Sequence, residues 1–480
     1  MFIKYLYICI FMGITKEIIT ELEKIVGSDN VITDDVELTV YEADGSFVYT
    51  ARPDVVVFPR STEEVARVVK VAWENRIPIV GRGSGTSLSG GALPIEGGIV
   101  ISLTKMNRVL ELDIENETAT VEAGVINLWV SDALARLNYQ YPIDLGYYFP
   151  ADPGSQRVST IGGNISHNAG GVKCFKYGVT VNNVRGLKVV LPNGEVRFFG
   201  GKVVESPGYD VIGIISGSEG TMAIVTEAVL RIVSNYESVK TILAAFNSVE
   251  DAGTAVSRII SAGIRPVALE FMDKIAVNAI EAGPWGGGLP TDAEAILLID
   301  VEGSEPGASA EASRIIEILK SSGAYMVKLA RDRAEANRWW NARKQAFGAM
   351  GFVGPNYITG DGTIPRKKLP EALRRIREIG SKYGLRIANV FHAGDGNLHP
   401  LILYDERKPG EREKALQAED EILRMCVEIG GTITGEHGVG YHKKHLIGLL
   451  YTDYELNVMK GIKSVFDPLG IMNPGKIFPR

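Results

Sequence analysis

Apolar residues in "ITKEIITELEKIVG" recur at helical spacing, with Ile18, Ile19, Leu22, Ile25 and Val26 on one face. Thr15 offers an N-cap and Gly27 a stop, which predicts a helix between them. In "PDVVVFPRSTEEVARVVKVAW", Val55–Phe58 reads as a buried strand. A Ser61–Glu64 capping box then opens a helix carrying Val65, Val68, Val69, Ala72 and Trp73. Pro78–Val80 is a second short strand that runs straight into a glycine-rich loop. Residues 98–230 read mostly as strands between Gly, Asn and Pro turns, with "PNGE" as a hairpin turn. From residue 240 the rhythm changes. Strand-like "TILAAF", "AILLIDVEG", "YMVKLA", "YITGDGTIP" and "RIANVFH" alternate with amphipathic helices near 248–262, 306–321, 332–349, 366–383 and 410–429. That alternation predicts an α+β domain over a mostly antiparallel sheet. The tail "VFDPLGIMNPGKIFPR" is rich in Pro and Gly yet apolar, so it is expected to pack.

Composition narrows the function classes. The chain has 480 residues, 45% of them hydrophobic, enough for two or three domains. A net charge of −7 with no long run of Lys or Arg excludes an electrostatic footprint for nucleic acid. Cys9, Cys174 and Cys426 lie far apart without a CxxC. That excludes a disulfide framework or an iron–sulfur cluster built by this chain alone, and points to a reducing, cytoplasmic setting. The apolar opening "MFIKYLYICIFMG" falls short of the roughly 20 residues a spanning helix needs. The expectation is a start at Met12 or a packed N-terminal strand.

"GRGSGTSLSGG" (81–91) lacks the following helix that a Rossmann turn requires. It offers instead a nest of backbone N–H groups from Gly83 to Ser87 and the hydroxyls of Ser84, Thr86 and Ser87, suited to a diphosphate. "PADPGSQRVSTIGGNISHNAGG" (150–171) reads as a second uncharged glycine-rich loop, where backbone approaches a ligand closely. "SGSEGTMAIVTEA" (216–228) joins a turn to a strand.

With "PDVVVFPRSTEEVARVV", "TIGGN…NAGG", "HAGDGNLHP", "GEHGVG" and "FDPLGIMNPGK" in this order, the chain resembles the FAD-linked 2-hydroxyacid dehydrogenases of the vanillyl-alcohol-oxidase superfamily. The likeness covers nearly the whole chain from residue 15, and its branch resembles the glycolate oxidase flavoprotein subunit and the D-lactate dehydrogenases. It implies an FAD-binding domain at 15–235, an inserted antiparallel α+β substrate (cap) domain at 236–435, and a segment at 436–480 closing on the first. It also implies that Gly83, Ser84, Gly85, Thr86 and Ser87 meet the FAD diphosphate. Asp152, Ser159, Thr160, Gly163, Asn164 and Gly170 would line the flavin and its ribityl chain. Glu219, Thr221, Ile224 and Val225 would meet the adenosine side, and Asn473 the isoalloxazine. Some relatives tether FAD through a histidine in the first loop. None lies between Gly81 and Gly91, so non-covalent FAD is expected. His167 is expected to be a satisfied loop histidine.

"FHAGDGNLHP" holds two of the six histidines. Read as a hairpin about an Asp395-Gly396 turn, it pairs His392 with His399 on one face at about 5 Å between Cβ atoms. Glu436 and His437 of "GTITGEHGVG" are candidates for a third ligand. From the residues alone, a metal and a pair of cross-strand histidines bonded to nearby carboxylates are both open. The resemblance selects a divalent metal, Zn2+ in relatives, on His392, His399 and Glu436. His442 and His445, beside two lysines, are expected in solvent.

Oxidising a 2-hydroxy acid requires a fixed carboxylate, loss of the hydroxyl proton and hydride delivery to flavin N5. His437 is the candidate base, kept neutral by the neighbouring cation. The resemblance selects Arg343 of "WWNARKQAFG" as a bidentate carboxylate clamp. Phe347, Thr359 and Leu401 stand where 2-hydroxyglutarate enzymes carry polar residues, which favours D-lactate or glycolate. The alternatives are a D-2-hydroxyglutarate dehydrogenase and a non-catalytic flavin relay subunit. An electron acceptor protein, a quinone or an iron–sulfur subunit is the expected partner. A homodimer and a peripheral position at the inner face of a membrane stay open.

Overall fold

The computed structural model describes residues 13–140, 146–203 and 207–479. The expectation for the N-terminal start falls outside them. The first helix runs Lys16–Val26, capped by the Thr15 hydroxyl, and buries Ile18, Leu22 and Val26. It packs on the helix Thr62–Asn75. The capping box there is half formed. Ser61 accepts from the Glu64 N–H, while the Glu64 carboxylate reaches past it to the N–H of Arg60.

Strands Val55–Val57, Ile99–Ser102 and Ile79–Arg82 pair in parallel, with Val31–Ile32 antiparallel at the edge. A second, antiparallel sheet is ordered Val109–Asp113, Thr118–Glu122, Ile224–Arg231, Val184–Val190, Val196–Gly200. Its last two strands form the hairpin expected around "PNGE". Helices also occur in this region, notably Asn127–Gln140, where strands were expected. The stretch 150–171 is not all loop either, because Ile161–His167 is helical. The Thr160 hydroxyl caps that helix, and Gly162, lacking a side chain, lies where a Cβ would be 2.8 Å from the Cβ of Ala123. Tertiary contact thus outweighs the poor helix propensity of the paired glycines.

The third sheet has nine strands, all antiparallel, from Ser238 to Tyr404. Strand Ser238–Phe246 sends Ile242, Ala244 and Phe246 into one core and Leu243 and Ala245 into another. Both faces of the sheet are therefore covered, which is why "TILAAF" is apolar throughout rather than alternating. Helices Val249–Ser261, Glu305–Ser321, Leu369–Tyr383 and Glu411–Glu428 contribute to one core, and Lys274–Ala282 and Arg333–Lys344 to the other. The tail returns to the first sheet. Ile79 N–H donates to Ile471 O, Asn473 N–H donates to Ile79 O, and Ile471 and Met472 join the apolar core that holds Val55, Ile79 and Ile99. Among the described residues, no helix is long and apolar enough to cross a membrane.

Candidate functional site

A single cavity of about 390 Å³ brings the glycine-rich loops together with the histidine cluster. Gly83 to Ser87, Asp152, Thr160, Gly163, Asn164, Glu219, Ile224 and Val225 line it, as do Arg343, His392, His399, Glu436 and His437. Ser159, Gly170, Thr221 and Asn473 do not. The Thr221 hydroxyl closes a turn onto Ser218 O. Gly170 backs the cluster instead, since a Cβ there would lie 2.7 Å from the Glu436 carboxylate. Asn473, expected at the isoalloxazine, is buried, and its amide donates to Gly91 O and Glu219 O. It ties the two loops to the tail.

The first loop leaves strand Ile79–Arg82 with no helix after it. The Arg82 guanidinium braces it by donating to the carbonyls of Ala43 and Ala92. The backbone N–H groups of Ser84, Gly85, Thr86 and Ser87 find no acceptor within the described protein. A Cβ on Gly83 would fall 2.0 Å from the Thr160 hydroxyl, so only glycine lets these loops meet. Asn164 Nδ2 and Glu219 Oε2 are buried without partners. Free N–H groups, an unpaired amide and an unpaired carboxylate oxygen around one cavity fit a large polar cofactor with a diphosphate. His167 departs from expectation. It lines the cavity, and its buried Nδ1 has no partner.

The two histidines converge, but not through the expected register. His392 pairs with Asn397 across a four-residue turn, not with His399. Gly394 N–H is drawn to Leu269 O of the neighbouring strand, which widens the turn. The offset is two residues, so the period-two alternation still puts both histidines on one face. Their ring centroids are 5.2 Å apart. His399 Nε2 lies 3.0 Å and His392 Nε2 3.5 Å from Glu436 Oε1. The closer contact is not aligned as a hydrogen bond, for His399 Nε2 has no partner by that criterion. Lone pairs that converge without an aligned proton suit three ligands of one cation.

Two carboxylates that sequence reasoning missed organise this cluster. Glu270, fully buried on strand Ala268–Asp273, lies directly across from His392. Its carboxylate accepts from His392 Nδ1 at 2.8 Å and from Arg343 Nη2. The Nδ1 bond turns Nε2 toward Glu436, the usual support for a metal-binding imidazole. Burial alone would lower the His392 pKa. Glu270 and Glu436 reverse that and hold it well above its ordinary value, so an ion arriving here displaces a proton.

Asp361, also fully buried, accepts from the N–H groups of Glu436 and His437, from the Thr434 hydroxyl and from Lys443 Nζ at 2.9 Å. Asp361, His399 and His437 form a second group close enough to hold an ion. Asp361 Oδ2 already serves Thr434, His437 N–H and Lys443, and Lys443 supplies the counter-charge. It is therefore an anchor for the 434–437 loop, and His392, His399 and Glu436 form the better metal set. Asp361→Ala is expected to cost about 3–5 kcal/mol of stability, because it strands buried Lys443 without a partner. Denaturant unfolding measures this, and a loss below about 1 kcal/mol would show that the pair is not an anchor.

Burial pushes the His437 pKa down to about 4, against the opposing pull of Asp361, so its imidazole is neutral and can accept a proton near pH 7. Its ring stacks on His399 at 5.0 Å. Arg343 is buried at the end of helix Arg333–Lys344, and its Nε has no partner. Of the three residues used to judge substrate size, Phe347 lines the cavity while Thr359 and Leu401 do not. His442 is not in solvent. It is buried between Glu419 and Tyr49. His445 is exposed and pairs with Asp420.

Comparisons with known proteins identify the family of the chain. Residues 53–200 match the family described as FAD binding domain, and residues 236–477 the family described as FAD linked oxidases, C-terminal domain. The chain is 42% identical over 449 residues to a glycolate oxidase subunit of Escherichia coli K12, covering 94% of this chain and 88% of that one. It is 34% identical over 472 residues to a D-lactate dehydrogenase of Anaerostipes hadrus, covering 97% and 98%. In fold it is similar to a substrate-bound p-cresol methylhydroxylase, with a TM-score of 0.78, 19% identity and coverage of 97% and 98%.

Proposed function

The chain belongs to the FAD-linked oxidases of the vanillyl-alcohol-oxidase superfamily, and on that premise we propose that it oxidises a small D-2-hydroxy acid, D-lactate or glycolate, to the 2-oxo acid. One observation carries this reading: the free N–H loop and the His–Glu–Arg cluster open onto the same cavity. Bound FAD supplies a two-electron acceptor, and a divalent ion, Zn2+ being the candidate, supplies a Lewis acid for the substrate hydroxyl.

Ser84 to Ser87 hold the cofactor diphosphate, with Thr160, Gly163 and Asn164 along its flavin half and Glu219, Ile224 and Val225 along the other. His392, His399 and Glu436 hold the ion. Arg343 orients the substrate carboxylate. His437 takes the hydroxyl proton at Nε2, with the Asp361 carboxylate 3.9 Å from Nδ1 to stabilise the imidazolium. The relative from E. coli is named as a subunit, which supports an electron-accepting partner here.

Anaerobic addition of D-lactate or glycolate to the FAD-loaded chain is expected to bleach the flavin. Bleaching by D-2-hydroxyglutarate alone would shift the assignment to that acid, and no bleaching by any hydroxy acid would leave an electron relay. Acid denaturation is expected to release all the flavin as free FAD, since the first loop has no histidine to tether it. Fluorescence remaining on the denatured band would implicate His167, whose unpaired Nδ1 borders the same cavity.

A further inference from the structure

We propose that Lys344 completes the carboxylate clamp that Arg343 begins, so that the acid end of the substrate is held between two cations. The inference rests on the hydroxy-acid reading above and names a further residue for it. A free guanidinium grips both oxygens of a carboxylate with paired N–H groups. Arg343 is not free. Its Nη2 is bonded to Glu270, which is fully buried and also holds His392. What Arg343 still offers is Nε, buried and without a partner, and Nη1, which makes no hydrogen bond among the described residues. Nε and Nη1 lie on different edges of the guanidinium and each forks only with Nη2, which Glu270 already engages, so a second donor would complete the grip on the carboxylate.

Charge leads to the same residue. Glu270 neutralises Arg343 within the protein, so the pair attracts an anion weakly. Lys344, the last residue of the same helix, lines the same cavity. Among the described residues its side chain makes no ion pair or hydrogen bond. Consecutive helical residues point about 100° apart. Both line the cavity here, where the helix ends at Lys344, and Phe347 of the following helix Ala346–Ala349 lines it too. Partial burial lowers the Lys344 pKa from its ordinary value, opposed by Asp152 and Asp300 and reinforced by Arg157 and Lys173. An arriving carboxylate would give the partly buried ammonium the counter-charge that burial makes it need.

The test uses the FAD-loaded chain and two acids that cannot be oxidised, propionate with one carboxylate and glutarate with two. Binding is read from the perturbation of the oxidised flavin spectrum. Lys344→Met and Lys344→Gln are expected to weaken propionate by about 10- to 100-fold, the loss of one charge-assisted bond, while Lys344→Arg stays within about threefold of the parent. Unchanged propionate binding in the neutral variants would overturn the proposal. So would weakening confined to glutarate, which would make Lys344 the reader of a second carboxylate. Loss of FAD from both neutral variants but not from Lys344→Arg would place the charge on the cofactor and likewise overturn it. If the parent binds propionate but no hydroxy acid bleaches it, the proposed reaction fails while the clamp stands.

Discussion

Replacing His437 by alanine is expected to slow flavin reduction by about 100-fold or more, with substrate still bound and both FAD and metal retained. The size is that of losing a general base. Retention of the metal is the sharper half of the result. His437 belongs geometrically to a possible ligand group with Asp361 and His399. If that group held the ion, the variant would lose it. The hydrogen bonds argue for the other group, because Asp361 Oδ2 already accepts from Thr434, His437 N–H and Lys443, and Lys443 supplies its counter-charge. Stopped-flow reduction with metal analysis of the same sample checks both halves. Loss of metal along with rate would move His437 from base to ligand.

His392→Ala, His399→Ala and Glu436→Gln should show the converse, losing the metal while keeping FAD. Each removes one of three protein ligands. Even residues that only support a ligand contribute 10- to 100-fold to metal affinity, so a drop of at least about 100-fold is expected. FAD should stay, because the free N–H groups lie on the loop at 84–87, far along the chain from these ligands. Full metal and full rate in either histidine variant would make the two rings a packing pair. Glu270→Gln is a useful intermediate. It keeps a hydrogen-bonding partner for His392 but removes the charge that Arg343 and His392 share.

Most helices and strands after residue 240 were legible because apolar periodicity and capping residues agree there, though the helix Lys274–Ala282 was not read. The strand Ala268–Asp273 escaped notice although it is buried throughout. Its signal was available: "ALEFMD" places one carboxylate inside an apolar run, and such a charge needs a partner. That carboxylate is Glu270. Asp361 had a similar signal in "ITGDGTIP", but its partners Glu436, His437 and Lys443 lie 75, 76 and 82 residues away, and no local pattern joins them. The convergence of His392 and His399 was readable from alternation alone. The register was not, since it depends on Gly394 bonding to a strand more than a hundred residues earlier. The helix at Ile161–His167 was hidden for a related reason, because Ala123 is what makes Gly162 favourable there.

The return of the tail to the first strand also has a consequence in time. Ile79 waits for Ile471 and Asn473 before its edge is paired, and Gly91 and Glu219 wait for the same asparagine. At ribosomal speeds of roughly 5–20 residues per second, the strand emerges roughly 20–80 s before the residues that close on it. During synthesis the cofactor loops therefore stand without their brace. Cofactor loading belongs to the finished chain, and a ribosome stalled before Asn473 should display a nascent protein that holds its cap but no flavin.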